Sequence, residues 1–163
     1  MKTHWRQFHP TDYIGAYAFA PGERKVLTIK KANLEKVMGQ NGKKEDCLVV
    51  HFKENEKPLI CNVTNSKAIT KVTGSGYIED WLGHRVELYT TETSAFGEVV
   101  EAVRVKQTAP AGKPVLDENH AAWAMVVDAV AGGYTREQVE TKYTVSDDTW
   151  DLLEDVAAEV AST

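Results

Sequence analysis

The sequence has few cysteines and no long hydrophobic segment, and both absences restrict what the chain can be. Its two cysteines, Cys47 and Cys61, lack the Cys-x-x-Cys spacing of zinc or redox sites. No apolar run approaches the roughly 18 residues that a membrane-spanning helix needs, and the N-terminus is too polar for a signal peptide. We therefore expect a cytoplasmic protein with buried free thiols, no metal site and no membrane contact.

Signatures of catalysis are absent as well. The five histidines show no His-x-x-x-His spacing beside an acid, and no Gly-x-Ser-x-Gly motif occurs. Residues 39–44 fail the phosphate-loop pattern, because Val37 stands where the first glycine is required and Lys44 replaces the hydroxyl residue. The acidic residues before His84 are typical of a solvated helical turn. The sequence thus predicts a binding protein with no catalytic residues and no cofactor.

Charge is distributed unevenly along the chain. Residues 1–116 contain 17 Lys and Arg against 13 Asp and Glu, a balance of +4, whereas residues 117–163 contain 2 against 11, a balance of −9. A basic body with an acidic end is typical of a protein that contacts polyanions with one part and another molecule with the other. Two solvated surfaces of opposite sign that attract each other explain the pattern equally well.

A change of hydrophobic period near the middle of the chain organises the fold prediction. Residues 59–63 form a short apolar run typical of a buried strand, and residues 67–72 then follow helical spacing. Asn65 or Ser66 is the expected N-cap of this helix, and Gly74 the expected C-cap. Two strands are predicted before this unit and two after it. Five strands with one helix between the third and the fourth is the order of an OB-fold, a small barrel known for binding oligonucleotides.

The other four strands are predicted to form two hairpins. Residues 25–37 and 45–52 flank an Asn-Gly turn, which is among the strongest short-range hairpin signals. Residues 85–91 and 98–106 form the closing hairpin. The aromatic residues of the leader, residues 1–24, are expected to cap one end of the barrel.

A linker and three helices are predicted to follow the barrel. The helices cover residues 120–130, 135–142 and 146–160. Thr135 and Gln138 form a capping box at the start of the second helix, and Ser146 caps the third. The third helix is rich in acid and has no Lys or Arg, so it would repel phosphate, and we interpret the module as a surface for protein contact or self-packing. The predicted domains are an OB-fold barrel with its leader, a linker and an acidic three-helix module, over residues 1–108, 109–116 and 117–163.

The candidate nucleic-acid site consists of Lys30, Lys31, Lys43, Lys44 and Phe96. In an OB-fold the first and the last hairpin tips flank the groove in which single strands lie. Lys43 and Lys44 would form one wall and Phe96 the other, with Lys30 and Lys31 on the floor. Lysines contact phosphates without reading sequence, and stacking on an aromatic ring contributes about 1 to 3 kcal/mol per base. This combination predicts sequence-tolerant binding of single strands. Alternatively, Phe96 folds back onto the barrel and the lysines are only solvated.

Five segments of the chain carry a resemblance to known proteins. They are HPTDYIGAYAF, KPLICNVTNSKAI, YIEDWLGHRVELY, GEVVEAVRV and HAAWAMVVDAVAGGYTREQVETKY. The first four are similar to a family of small OB-fold proteins that bacteriophages and prophages encode, often within replication and recombination gene blocks. The fifth resembles a helical extension that some members carry. The resemblance implies a single-stranded DNA-binding accessory protein of replication or recombination in the bacterial host cell.

Two other functions are weighed against this one. In the first, the acidic helices recruit or inhibit a replication or recombination protein, and the barrel is only a scaffold. The sequence ends in VAAEVAST and lacks the acidic, Phe-terminated tip that bacterial single-strand binders use to recruit partners, so recruitment by that route is not expected. In the second, the protein is an assembly protein that forms homo-oligomers. The sequence leaves open the oligomeric state and the preference for DNA or RNA.

Overall fold

A computed structural model describes residues 12–38, 42–95 and 97–163 of the chain. The fold is mixed α/β: an antiparallel sheet of five strands, one helix inserted between the third and the fourth strands, and three helices after the last strand. This order of strands and helices confirms the predicted one. Within those ranges, no helix combines the length and the apolar character needed to cross a membrane.

The five strands form one sheet in the order β3-β2-β1-β4-β5. They are β1 (Lys25–Met38), β2 (Lys44–Phe52), β3 (Leu59–Ile60), β4 (Arg85–Ala95) and β5 (Glu98–Val105). Both predicted hairpins are confirmed, since β1 pairs with β2 and β4 with β5, each antiparallel. The edge strands β3 and β5 are not paired with each other over the described residues. The sheet is therefore open between these two edges, so the described strands do not show closure into the predicted OB-fold barrel.

The helices are α1 (Val63–Thr73), α2 (Trp123–Ala131), α3 (Arg136–Glu140) and α4 (Asp147–Ala161), and a 3₁₀ helix covers Ile78–Trp81. The capping signals of the last two helices are confirmed. Thr135 and Gln138 form the reciprocal capping box of α3. The Ser146 hydroxyl accepts a hydrogen bond from the Thr149 N–H at the start of α4.

The start of α1 was predicted too late in the chain. Asn62, and neither Asn65 nor Ser66, is the N-cap, because the Asn62 side-chain oxygen accepts a hydrogen bond from the Asn65 N–H at 2.9 Å. Strand β3 consequently ends at Ile60, before the end of the apolar run that predicted it. The C-terminal prediction is confirmed: Gly74 has a φ of 78°, in the left-handed region, and its N–H bonds the Thr70 carbonyl.

Asn65 instead joins α1 to the outer edge of the sheet. Its side chain is buried, at 2% exposure. Its amide nitrogen donates to the Val103 carbonyl at 3.1 Å, and its amide oxygen accepts from the Val105 N–H at 3.0 Å. A sheet edge otherwise presents such backbone groups unpaired. Asn65 therefore provides hydrogen-bond partners for two backbone groups of β5 on the side that faces away from β4. Another strand would otherwise provide these partners.

Two hydrophobic clusters hold the fold together. The first lies against the sheet and includes Ile29, Ile69, Trp81 and Leu88, all essentially inaccessible to solvent. The second is built from side chains of α2, α3 and α4. Leu116 is fully buried in this second cluster, and its N–H bonds the Thr144 carbonyl. The end of the predicted linker is thus packed against the helices.

Candidate nucleic-acid interface

A β-bulge places Lys30 and Lys31 side by side on the surface. β1 pairs with β4 over residues 25–28 and with β2 from Ile29 onward, and the register shifts between Ile29 and Lys31. The extra residue of a bulge breaks the alternation of faces. Both lysines are therefore exposed, where an unbroken strand would have pointed one of them towards the core.

Hydrogen bonds from neighbouring segments fix the bulge. The Ile29 N–H donates to the His84 carbonyl at 2.9 Å, and the Gly83 N–H donates to the Ile29 carbonyl at 2.8 Å. One residue earlier, the Glu54 carboxylate accepts the Thr28 N–H at 2.7 Å and the Thr28 hydroxyl at 2.8 Å. The two lysines thus stand on backbone that is held from both sides.

A third lysine joins them at an open cleft of ≈ 440 Å³. Lys53 follows β2 directly, and because β2 runs antiparallel to β1, its end returns to the bulge. The rest of the lining comes from later in the chain, namely Leu82, Asp117 and Asn119. Three lysines and one aspartate line the cleft, so the lining carries net positive charge. Such a cleft concentrates anions.

Lys53 has an acidic partner, whereas Lys30 and Lys31 have none in the part of the chain that the structure describes. Lys53 forms an ion pair with Asp117, and both side chains are about one-third exposed, at 30% and 32%. Partial burial alone raises the pKa of Asp117, but the Lys53 ammonium and the Asn119 N–H, which donates at 2.9 Å, outweigh it and lower that pKa below its usual value. Lys30 and Lys31 have no ion-pair partner among the described residues.

The segment that carries Asp117 is fastened to the sheet by the buried side chain of His120. The His120 ring lies directly against Gly83, where a Cβ would come within 2.2 Å of the His120 Cδ2. Gly83 also has a φ of 84°, which side chains disfavour, so only glycine fits at this position. The contact between Gly83 and the His120 ring is called the seat of His120 below. The Ala121 N–H donates to the Leu82 carbonyl at 2.8 Å, and the His84 ring lies 5.2 Å from that of His120.

Burial keeps His120 uncharged at neutral pH. Burial, with smaller contributions from His84 and Lys53, lowers the pKa of His120 to about 4, against the opposing effect of Asp117. The His120 Nδ1 accepts a hydrogen bond from the Ala122 N–H at 3.0 Å. Its Nε2 is buried without a partner in the part of the chain that the structure describes. A proton on His120 would place an unpaired charge in this seat.

Lys43 and Lys44 lie apart from this cleft, at the far end of the β1–β2 hairpin. Lys44 is paired with Met38, and Lys31 stands seven positions earlier on the same strand, since 38 − 31 = 7. At about 3.3 Å per residue, roughly 23 Å of strand separate the two pairs of lysines. Both Lys43 and Lys44 are exposed. The five predicted residues therefore do not form one compact cluster.

Phe96 lies outside the described residues, so its position relative to the lysines stays a prediction. The hairpin that carries it is acidic: Glu92, Glu98 and Glu101 are exposed, and no Lys or Arg occurs from residue 86 to residue 103. β4 runs antiparallel to β1, so the turn between β4 and β5 lies beyond the Lys25 end of β1. Lys44 lies at the opposite end of β1. Carboxylates repel phosphate, and the sequence analysis overlooked this charge although the sequence displays it.

Other groups that bind metals or react as nucleophiles are sparse. Among the described residues, no group of three His, Cys, Asp or Glu side chains is placed to hold a metal ion. Cys61 and Cys47 are free thiols, the first buried and the second half-buried. Burial raises the pKa of the Cys61 thiol, although the Ser66 hydroxyl opposes this, so Cys61 is a poor nucleophile.

The sequence analysis missed Lys53, Asp117 and Asn119. Lys53 could have been predicted from the sequence, because the predicted hairpin places the end of the second strand beside the middle of the first. Asp117 lies 64 positions from Lys53, and no local pattern links them. Comparison with protein-family models, curated proteins and solved structures finds no match to this chain.

Proposed function

We propose that this protein binds single-stranded nucleic acid without sequence preference, and that its lysine cleft, formed by Lys30, Lys31 and Lys53, contacts the phosphates. One observation carries the proposal: two exposed lysines without acidic partners among the described residues stand on a fixed bulge beside a third lysine. Lysines contact phosphates regardless of the bases. Proteins that bind single strands without sequence preference combine such basic grooves with aromatic stacking.

We infer further that the sheet is a partly open OB-fold. Its five antiparallel strands, with a helix after the third, are compatible with the partly open Greek-key barrel of that fold. Lys43 and Lys44 would then extend the phosphate path along the first hairpin. We propose an accessory role in DNA replication or recombination within a bacterial cell only on the resemblance of four sequence segments to phage and prophage OB-fold proteins.

Removing the two unpaired lysines tests this function. The Lys30→Ala/Lys31→Ala variant should bind labelled oligo-dT about 10- to 100-fold more weakly than the wild type, because two phosphate contacts are lost. The slope of log affinity against log salt should fall by about 1.4, at roughly 0.7 per contact for single strands. Fluorescence anisotropy over a salt series measures both quantities.

A second pair of exposed lysines provides the control. Lys67→Ala/Lys142→Ala removes the same charge from α1 and from the turn after α3, away from the cleft. This control should bind like the wild type apart from a small general charge effect. Equal losses in the two double variants would show attraction to overall charge and would contradict a site at the bulge. Absence of salt-dependent binding by the wild type would end the proposal.

A second candidate function is protein binding through α4. Its acidic side chains are exposed, and of these only Asp147 has an ion-pair partner, Arg136, in the described ranges. Leu152 and Val160 are exposed on the same helix, at 38% and 43%. Acidic and apolar groups together favour a protein partner with a basic surface and disfavour nucleic acid.

A variant that removes negative charges from α4 distinguishes the two candidate functions. Asp148→Asn/Asp151→Asn/Asp155→Asn should leave oligo-dT binding unchanged or slightly tighter, because the cleft is intact. If α4 binds a protein, this variant should lose a cross-linked partner that the wild type retains in bacterial host cells. A cross-linking pattern identical to that of the wild type would argue against α4 as the contact surface.

A further inference from the structure

We propose that residues 117–121, here called the cleft segment, are an internal competitor of the nucleic acid. In the free protein Asp117 holds Lys53, and a phosphate of the bound strand displaces it. The inference rests on the proposed function and adds its regulation. The Asp117 carboxylate lowers the affinity of the cleft for nucleic acid by competing for Lys53.

Asp117 occupies a position that suits a phosphate. Its carboxylate lines the cleft and pairs with Lys53, as an anionic phosphate oxygen would. Asn119, two residues on, also lines the cleft. Lys30 and Lys31 remain uncompensated in the described part of the chain, so an incoming strand can contact them first. The third ammonium group becomes available only when Asp117 leaves it.

The cleft segment is held in place on both sides, which makes Asp117 an effective competitor. Before it, Leu116 is fully buried among the helices. After it, the buried His120 fills the seat at Gly83, and the Ala121 N–H bonds the Leu82 carbonyl. A group that is already positioned loses little entropy when it pairs. Asp117 therefore acts at a high effective concentration on Lys53.

The ion pair can nevertheless be displaced. Both partners are about one-third exposed, and ion pairs so open to water are individually weak. The lowered pKa of Asp117, for which Lys53 and the Asn119 N–H outweigh the opposing effect of burial, keeps the carboxylate charged throughout the physiological range. The competition is therefore governed by nucleic acid and salt concentration.

Asp117→Asn tests the competitor with little structural change. An asparagine oxygen can still accept the hydrogen bond that the Asn119 N–H now gives to Asp117, so the local turn is retained. The variant should bind labelled oligo-dT about three- to tenfold more tightly than the wild type, because Lys53 is released. Its salt slope should stay close to that of the wild type, because Lys53 contacts a phosphate in both complexes and only the competing carboxylate is removed.

Three further variants make every outcome decisive. Glu118→Gln removes the same charge from the next residue, which does not line the cleft, and should show little gain. In Lys53→Ala/Asp117→Asn the gain should vanish, because the released lysine is gone. Asp117→Asn that binds no tighter than Glu118→Gln, or a gain that persists without Lys53, overturns the competitor. In either case, weaker binding by Lys30→Ala/Lys31→Ala leaves the proposed function intact. If no variant binds, both proposals fall.

Discussion

Replacing Asn65 by alanine should lower the free energy of unfolding by about 2 to 5 kcal/mol. The amide makes two hydrogen bonds to the edge of β5, and both the Val103 carbonyl and the Val105 N–H would lose their partner in a buried setting. A buried backbone group left unsatisfied costs about 1 to 3 kcal/mol, and here there are two. Urea denaturation followed by circular dichroism measures the loss, and the dependence on urea should be unchanged.

Two variants define the cause of this loss. Ser66→Ala, at the next position, removes a hydroxyl that donates to the Asn62 carbonyl within the same turn, and it should cost less than about 1 kcal/mol. Asn65→Asp keeps the acceptor for the Val105 N–H but loses the donor to the Val103 carbonyl, so it should also be strongly destabilising. A loss for Asn65→Ala no larger than that for Ser66→Ala would mean that water or another group satisfies the edge of β5.

The helices of this protein could be predicted almost completely, because their signals are local. The capping box at Thr135 and the left-handed Gly74 involve only neighbours in the chain, and both predictions are confirmed. The start of α1 could not be predicted in this way. Asn62, Asn65 and Ser66 are all good N-caps, and the choice among them depends on β5, which reaches Asn65 from about 40 positions away.

The candidate site shows the same division between local and distant information. Alternation in the first strand predicts that one of Lys30 and Lys31 faces solvent, but the bulge that exposes both depends on where β1 changes partner from β4 to β2. Lys53 follows from hairpin pairing alone. The pair of Lys53 with Asp117 joins the sheet to the C-terminal segment, and only the tertiary fold brings them together. The acidic character of the β4–β5 hairpin, in contrast, was present in the sequence.

The stability of the protein should fall by about 3 kcal/mol between pH 6.5 and pH 4, because of His120. Burial lowers its pKa to about 4 in the folded protein, from an ordinary value of 6.5 in the unfolded chain. Between these values the unfolded chain binds more protons, so the free energy of unfolding decreases as the pH falls through this window. The stability is therefore full above about pH 6.5, and the decrease is complete below about pH 4.

The charged groups around His120 do not cancel this effect. His84, directly before β4, also has a pKa lowered by burial, with Asp80 opposing, and its contribution has the same sign. Lys53 disfavours the protonated ring. Asp117 favours the protonated ring. The pKa of the Asp117 carboxyl lies below its ordinary value of 3.8, so the stability that this carboxylate contributes is lost only at more acidic pH. Tyr143, which contacts the ring at its edge, is uncharged in this range because burial raises its pKa.

His120→Asn isolates the contribution of this side chain. An asparagine oxygen can replace the Nδ1 that accepts the Ala122 N–H, while the group that takes up a proton is removed. Urea denaturation at several pH values should show a variant less stable than the wild type at pH 7, because the ring no longer fills the seat at Gly83, but with a flatter dependence on pH between 4 and 6.5. If the free energy of unfolding depends on pH equally steeply in the wild type and the variant over that window, protonation of His120 does not destabilise the folded protein.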